Sequence, residues 1–297
     1  MDPFSAEGEL LNIHNSFHQG QYQEVIDFDT SKLSPDNTLP AQVLKWRAQI
    51  ANGQAKTVID KLAKGNNSPD ATAVKAFAFY AQGQSAVAQE EADKLVATSS
   101  ENPTVQLMAG TILHATGRSD EALTLLSKHQ GNLEAYEQIS YSLLHSVINR
   151  TDLALKEVTA ARKWAQDNLL VNIAESWVGL RVGGDKYQQA FYVFEEMAQT
   201  PSTSAAKSLI GQAVAEIHLG RLSEAEAALQ QAMEKEPENV EAIANSIVLN
   251  VLSGKDVSEL TSSLQSISPE HALLTDVQEK SVQFDQAATK YSVKVAS

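Results

Sequence analysis

The sequence predicts an all-α fold: a solenoid in which antiparallel helix pairs stack into a right-handed superhelix. The first observation is a small residue that returns at intervals of roughly 34 residues along the whole chain. The second is that apolar residues on either side of it recur at helical spacing. A period of this size is typical of stacked supersecondary units rather than of one wound core. The recurring positions are Gly20, Gly53, Gly83, Gly117, Asn149, Gly184, Gly220 and Gly254.

The clearest repeat runs from Ala206 to Glu238. Ala213 lies before the turn at Gly220 and Ala225 lies after it, which puts two methyl side chains where antiparallel helices would touch. Pro237 then ends the second helix, because an internal proline would remove a hydrogen bond and clash with the preceding turn. This arrangement of a small residue, a turn and a second small residue is that of the tetratricopeptide repeat (TPR).

Other repeats follow the same arrangement with local departures. The first, around Gly20, has large residues beside the turn, which indicates a wider or atypical end pair. Those at Gly83 and Gly117 are regular, and at Asn149 an asparagine is expected to take the place of glycine, because asparagine can adopt the same left-handed backbone. The turn near Gly184 is longer than the rest. We expect about eight helix pairs over residues 1–269.

A final amphipathic helix is predicted over residues 270–292. One face of it carries Leu273, Val277, Phe284, Ala288 and Tyr291. Because a solenoid needs a cap at its end, the sequence favours a C-terminal capping helix over a free helix that binds a partner. The candidate linkers are short, so residues 1–297 are predicted to form a single TPR-like domain.

Composition excludes several function classes. With 43% hydrophobic and 20% charged residues, the chain can bury enough apolar surface to fold. The net charge of −14 comes without a basic stripe, so nucleic acid and anionic lipid should be repelled. Cysteine is absent, which excludes disulfides and thiolate metal sites and fits a reducing compartment. Neither a leader nor a long apolar run is present, so we expect a cytoplasmic protein that does not insert into membranes.

A partner-binding groove is predicted on the concave surface of the solenoid. In stacked TPR pairs the first helix lines this surface, with residues roughly three, six and ten positions before the turn facing inwards. Here most of these positions are apolar or aromatic, which predicts an obligate subunit whose partner brings its own hydrophobic surface. The alternative is an array that coils tightly enough for these side chains to pack on each other. The predicted groove residues are Leu10, Phe17, Val43, Ile50, Phe77, Tyr80, Leu107, Ile139, Leu143, Ile210, Val214 and Ile217.

Motifs that carry chemistry are missing. TPR proteins that bind chaperone tails grip a terminal carboxylate with Lys, Arg and Asn; here only Arg47 is of that kind, so no such clamp is expected. Without a phosphate loop, dinucleotide fingerprint or nucleophile elbow, no catalytic or cofactor-binding residue is predicted. His14 and His18 lie one helical turn apart, but no Cys, Asp or Glu near them in sequence completes a ligand set, so no metal site is predicted.

One block of sequence resembles a known family. Glu175–Leu180 (ESWVGL) and Gly183–Met197 (GGDKYQQAFYVFEEM) are similar to the epsilon subunit of the COPI vesicle coat, and generic TPR proteins lack this block. Both ends of the chain agree with the resemblance, which covers nearly the whole sequence. The other matching positions are Asn15, Ser16, Phe17, Gly20, Tyr22, Asn245–Leu249, Phe284, Asp285, Lys290 and Tyr291.

The resemblance implies a non-catalytic coatomer subunit that binds and stabilises the C-terminal domain of the alpha subunit. It also implies a role in retrograde Golgi-to-ER and intra-Golgi transport, with contact to Golgi membranes and COPI-coated vesicles made through the other coat subunits. Two alternatives remain open: a TPR adaptor or co-chaperone that binds a linear peptide, and an α-helical enzyme such as an α/α-barrel hydrolase. The enzyme would need acids converging in a cleft, and the sequence offers no such set.

Overall fold

The computed structural model describes residues 8–63, 65, 68–129, 131–145, 150–199 and 205–291. Within these ranges the chain is helical and has no strand, which confirms the all-α prediction. None of the described helices is both long and apolar enough to cross a membrane. The helices follow in pairs from α1/α2 to α15/α16, and α17 comes last. They are α1 (Leu11–His18), α2 (Tyr22–Asp27), α3 (Pro35–Ala51), α4 (Ala55–Leu62), α5 (Pro69–Ala81), α6 (Ser85–Ser99), α7 (Pro103–Ala115), α8 (Ser119–Leu126), α9 (Leu133–His145), α10 (Thr151–Arg162), α11 (Leu169–Val182), α12 (Lys186–Gln199), α13 (Ala206–His218), α14 (Leu222–Lys235), α15 (Val240–Leu252), α16 (Ser258–Ile267) and α17 (Ala272–Lys290).

The turn between paired helices depends on a residue in the left-handed conformation. At Gly117, for example, the N–H of the following Arg118 donates to the carbonyl of Leu113 at 2.8 Å, which pairs a carbonyl at the helix end. A residue with a Cβ rarely adopts this conformation, so glycine returns with each pair. The predicted turn at Asn149 lies outside the described residues. Positive φ angles between 61° and 85° occur at Gly20, Gly53, Gly83, Gly117, Gly184, Gly220 and Gly254.

The prediction of a longer turn near Gly184 is wrong: three residues separate α11 from α12, as three separate α7 from α8. The turn differs from the others in its backbone conformation. Gly183 and Gly184 both have positive φ, 85° and 61°. The N–H of Gly183 still donates to the carbonyl of Gly179 at 2.9 Å, while the carbonyl of Gly184 accepts from Tyr187 at 3.1 Å. Two left-handed residues therefore join α11 to α12 where the regular turns have one.

Contacts between helices divide the chain into two compact units, Met1–Ser208 (unit 1) and Leu209–Ser297 (unit 2). In unit 1 the apolar core is a chain of clusters, and four of them contain residues of neighbouring helix pairs. A further cluster lies within the single pair of α11 and α12. In unit 2 a cluster around Ile243, Ile247 and Leu264 joins α15 to α16. The expectation that residues 1–297 form one domain stays a prediction.

Close approach of paired helices depends on small residues, as predicted. Gly110 on α7 lies against Leu126 at the end of α8, and a Cβ added to Gly110 would lie 2.8 Å from the Cγ atom of Leu126. Gly179 on α11 has more room, because a Cβ there would lie 3.4 Å from the Cβ atom of Lys186. The α7/α8 contact therefore requires glycine, whereas the α11/α12 contact tolerates a methyl group.

The last helix, α17, covers the final pair less than predicted. Leu273 and Leu274 in its first turn pack against the core of α15 and α16. Farther along, Val277, Phe284 and Tyr291 are 61%, 73% and 79% exposed. Among the described residues, contact between α17 and the core of α15 and α16 is therefore limited to the first turn of α17.

Alanine substitutions at the two glycines should have opposite effects. Gly110→Ala should lower the free energy of unfolding by about 1–2 kcal/mol, because overpacking against the buried Leu126 outweighs the gain in helix propensity. Gly179→Ala, the matched control, should raise it by up to about 1 kcal/mol. Urea unfolding of the full chain, followed by circular dichroism, measures both. Equal effects at the two positions would contradict the close approach at Gly110.

Candidate functional site

The structure separates the predicted groove residues by exposure. The buried ones, all less than 9% exposed, mostly belong to the core clusters that join neighbouring helix pairs. The others keep part of their surface accessible. That these residues bind a partner stays a prediction, and only the second set can contact one without rearrangement. The buried residues are Leu10, Val43, Ile50, Leu107, Ile139, Leu143 and Ile210. The partly exposed residues are Phe17, Phe77, Tyr80, Val214 and Ile217.

Aromatic side chains form the accessible part of this surface in unit 1. The rings of Phe77 and Tyr80 on α5 stack with centroids 6.3 Å apart, and both also pack against the core. On α9, Tyr141 is 49% exposed and meets the ring of His114 edge-on, with centroids 5.7 Å apart. Sequence reasoning missed Tyr141 because the repeat register there was taken from Asn149.

In unit 1 the chain folds back so that α1 and α3 meet the start of α9. Glu134 of α9 accepts contacts from three side chains that lie far away in sequence. Its Oε1 lies 3.2 Å from Nε2 of His14 and 3.4 Å from Nε2 of His18, and its Oε2 lies 2.7 Å from Nη1 of Arg47. We call these four residues the Glu134 cluster. The guanidinium of Arg47 also lies 4.4 Å from the centre of the Phe17 ring. At this place side chains of α1, α3 and α9 pack on one another.

Burial sets the electrostatics of the Glu134 cluster. His14, His18 and Glu134 are 5%, 6% and 9% exposed. Burial lowers the pKa of His18, although the Glu134 carboxylate opposes this effect. Burial alone would raise the pKa of Glu134. The charge of Arg47 and the hydrogen bonds with both histidines outweigh it and hold the pKa of this carboxyl well below its usual range. Glu134 is therefore an anion inside the protein.

Arg47 has a structural partner that the sequence did not reveal. It was the one residue of a carboxylate-clamp type on the predicted groove, and Glu134 engages it at 2.7 Å. A carboxylate from a peptide would have to displace Glu134 to reach it. The signal that could have located Glu134 was Arg47 itself, because a charged residue among apolar inward positions needs a partner of opposite charge.

A metal-ligand set is also present, contrary to the reasoning from sequence spacing. Candidate ligand atoms of His14, His18 and Glu134 all lie within 4.8 Å of one another. The sequence near the two histidines contains no acid at a suitable spacing. Glu134 lies on α9, far away in sequence, and the tertiary fold places it beside them. Among the described residues, no other group of this kind meets the same distance.

Comparison with known proteins places the chain in a family. The sequence profile of the coatomer epsilon subunit matches residues 6–292. The chain belongs to the coatomer epsilon subunit family. Coatomer subunit epsilon-2 of Arabidopsis thaliana is 30% identical, over 94% of this chain and 95% of the relative. The probable coatomer subunit epsilon of Schizosaccharomyces pombe is 28% identical, over 97% and 96%. As an epsilon-family chain it is a COPI coat component that interacts with other coatomer subunits.

Solved structures support the fold of this epsilon-family chain. The crystal structure of the APC/C hetero-tetramer Cut9–Hcn1 superposes with a TM-score of 0.62 at 13% identity, over 91% of this chain and 54% of that one. A tetratricopeptide repeat protein from Parabacteroides merdae gives 0.57 at 10% identity, over 87% and 97%. The TPR-type solenoid and the resemblance seen in the sequence are thereby confirmed.

Removing the charge of Glu134 should destabilise the epsilon-family chain. Glu134→Gln should lower the free energy of unfolding by about 3–5 kcal/mol, because it leaves the Arg47 guanidinium buried without its counter-ion. Adding Arg47→Met should recover part of that loss. The control is Glu121→Gln, which breaks an exposed pair with Arg118 and should cost less than about 1 kcal/mol. Urea unfolding measures all three variants, and similar losses at Glu134 and Glu121 would contradict a buried pair.

Proposed function

We propose that this chain is a non-catalytic subunit that binds and stabilises the C-terminal domain of the coatomer alpha subunit. Its process is retrograde Golgi-to-ER and intra-Golgi transport, at the cytoplasmic face of Golgi membranes and COPI-coated vesicles, with the other coat subunits making the membrane contact. The observation that carries the proposal is the match to the coatomer epsilon subunit over residues 6–292.

The distribution of apolar side chains in unit 2 supports a protein partner. Val214 and Ile217 on α13 keep part of their surface accessible. On α15, the first helix of the next pair, Val248 and Val251 are 37% and 62% exposed. Apolar side chains thus recur on consecutive first helices, which is where a TPR solenoid presents its concave surface. Exposed apolar patches of this kind mark interaction sites in soluble proteins.

The aromatic pair in unit 1 supports the same conclusion. Phe77 and Tyr80 are held by the core on one side and present ring surface on the other. Rigid aromatic side chains of this kind are typical anchors of protein interfaces, because little side-chain entropy is lost when they bind. The engagement of Arg47 by Glu134 argues against a carboxylate-terminated linear peptide as the ligand.

Charged substitutions on first helices should weaken binding to the alpha-subunit domain. Tyr80→Asp and Val251→Asp should each reduce its affinity by at least about 30-fold, because an anion would be desolvated in an apolar interface. The matched controls are Tyr192→Asp on α12 and Val87→Asp on α6, which alter exposed residues of second helices. Isothermal titration calorimetry with the purified domain measures binding, and circular dichroism checks the fold.

The outcomes of this experiment separate the function from the surface. If the unaltered chain fails to bind the alpha-subunit domain, the proposed function is wrong. If it binds but all four variants bind equally well, the function holds and the assignment of the surface is wrong. Micromolar capture of a free linear peptide, with no binding of the domain, would favour the TPR adaptor instead.

A further inference from the structure

The contact between α1 and α9 brings together three side chains that bind metals. His14 and His18 lie one helical turn apart on α1, and Glu134 approaches both through its Oε1 atom. The two nitrogen-to-oxygen distances are 3.2 and 3.4 Å. In a tetrahedral zinc site with bonds of about 2.0–2.1 Å, neighbouring ligand atoms lie about 3.3–3.4 Å apart. The spacing of these atoms therefore matches the edges of such a site.

The side chains next to these ligands, Glu137 and Arg47, are of the kinds found in the second coordination shell of metal sites. Nδ1 of His18 faces Oε2 of Glu137 at 4.0 Å, one turn along α9 from Glu134. A metal-bound histidine almost always directs its second nitrogen to a carboxylate, a carbonyl or a water. On the other side, the second oxygen of Glu134 accepts from Arg47, which fixes the orientation of the carboxylate. The Glu134 carboxylate thus has an outer partner that holds it in place, and a second carboxylate lies near the other nitrogen of His18.

His18 lies between two carboxylates, those of Glu134 and Glu137. A neutral imidazole donates through only one of its nitrogens. With the proton on Nε2, His18 donates to Glu134 at 3.4 Å; with the proton on Nδ1, on the side of Glu137, the lone pair of Nε2 points towards Glu134. Arg47 supplies one positive charge against the two negative charges of Glu134 and Glu137. A cation beside Nε2 would satisfy both the lone pair and the excess negative charge.

We propose that His14, His18 and Glu134 bind one divalent transition-metal ion, for which Zn²⁺ is the best match, and that this ion ties α1 to α9. Two imidazoles and one carboxylate are a known set of three protein ligands for zinc, with a water in the fourth position. Magnesium and calcium prefer oxygen ligands and do not fit this set. The ion joins helices from distant parts of unit 1. This proposal is independent of the partner that the chain binds.

The test uses the full chain without a histidine tag, purified with a chelator and then dialysed free of it. Zn²⁺ is titrated in competition with a chromophoric zinc indicator, and Co²⁺ is used as a spectroscopic probe of coordination. We expect one Zn²⁺ per chain and a visible Co²⁺ absorption typical of four-coordinate sites. The melting temperature should rise by about 5 °C when free Zn²⁺ reaches about 100 times its Kd.

Variants locate the site. His18→Gln should weaken Zn²⁺ binding by at least about 100-fold, and Glu137→Gln by about 10- to 100-fold. His129→Gln, which changes a histidine outside the Glu134 cluster, should leave binding unchanged. If His18→Gln does not fold, Glu137→Gln decides the matter, because this side chain is 24% exposed and its loss should be tolerated. Failure of the native chain to take up one Zn²⁺, or equal affinity in Glu137→Gln and His129→Gln, would overturn the proposal.

Discussion

A pair of short helices joined by a tight turn cannot bury its own apolar face, and this constraint determines how the chain is built. In unit 1 the core cluster that contains Val58 also includes residues of α3, α4 and α5, and the cluster that contains Ile112 includes residues of α5 to α8. Each cluster therefore belongs to two neighbouring pairs rather than to one. The pairs stack because they share these clusters. The turns at glycine recur for the same reason, since each turn must set the angle between its two helices so that the next pair can pack against them.

Features set by local chemistry could be predicted from the sequence, and features set by distant contacts could not. The left-handed turn at Gly117 and the close contact at Gly110 depend on residues within one pair, so the glycines indicated them directly. Glu134 was missed because its partners lie in α1 and α3, and nothing in the sequence around it specifies that contact. The exposure of Phe284 was missed for another reason. An amphipathic pattern defines a face of a helix, but not whether a neighbour covers it.

The Glu134 cluster gives unit 1 a contact that apolar packing would not specify. Apolar surfaces can slide against each other at little cost, because the hydrophobic effect has no direction. A buried carboxylate and guanidinium cannot, since separating them leaves an unpaired charge in the protein interior. Arg47 and Glu134 therefore fix which part of α9 meets α3. Apolar replacements of such pairs are often neutral or stabilising in other proteins, so the pair contributes to the choice of contact more than to net stability.

The residues proposed to bind a partner also support the fold, and this has a consequence for the subunit in its coat. Phe77 and Tyr80 pack against the core with one part of each ring and leave the other part accessible. A partner that covers the accessible part excludes water from rings that already support the core. By mass action, whatever binds only the folded chain stabilises it. A coat partner that bound at this proposed surface would therefore also support the helix pairs that form it. The Glu134 cluster links α1 and α3 to α9 in the chain without a partner. The aromatic rings on the neighbouring helix α5 are therefore held in a fixed arrangement. A partner that bound them would lose less conformational entropy in ordering this surface.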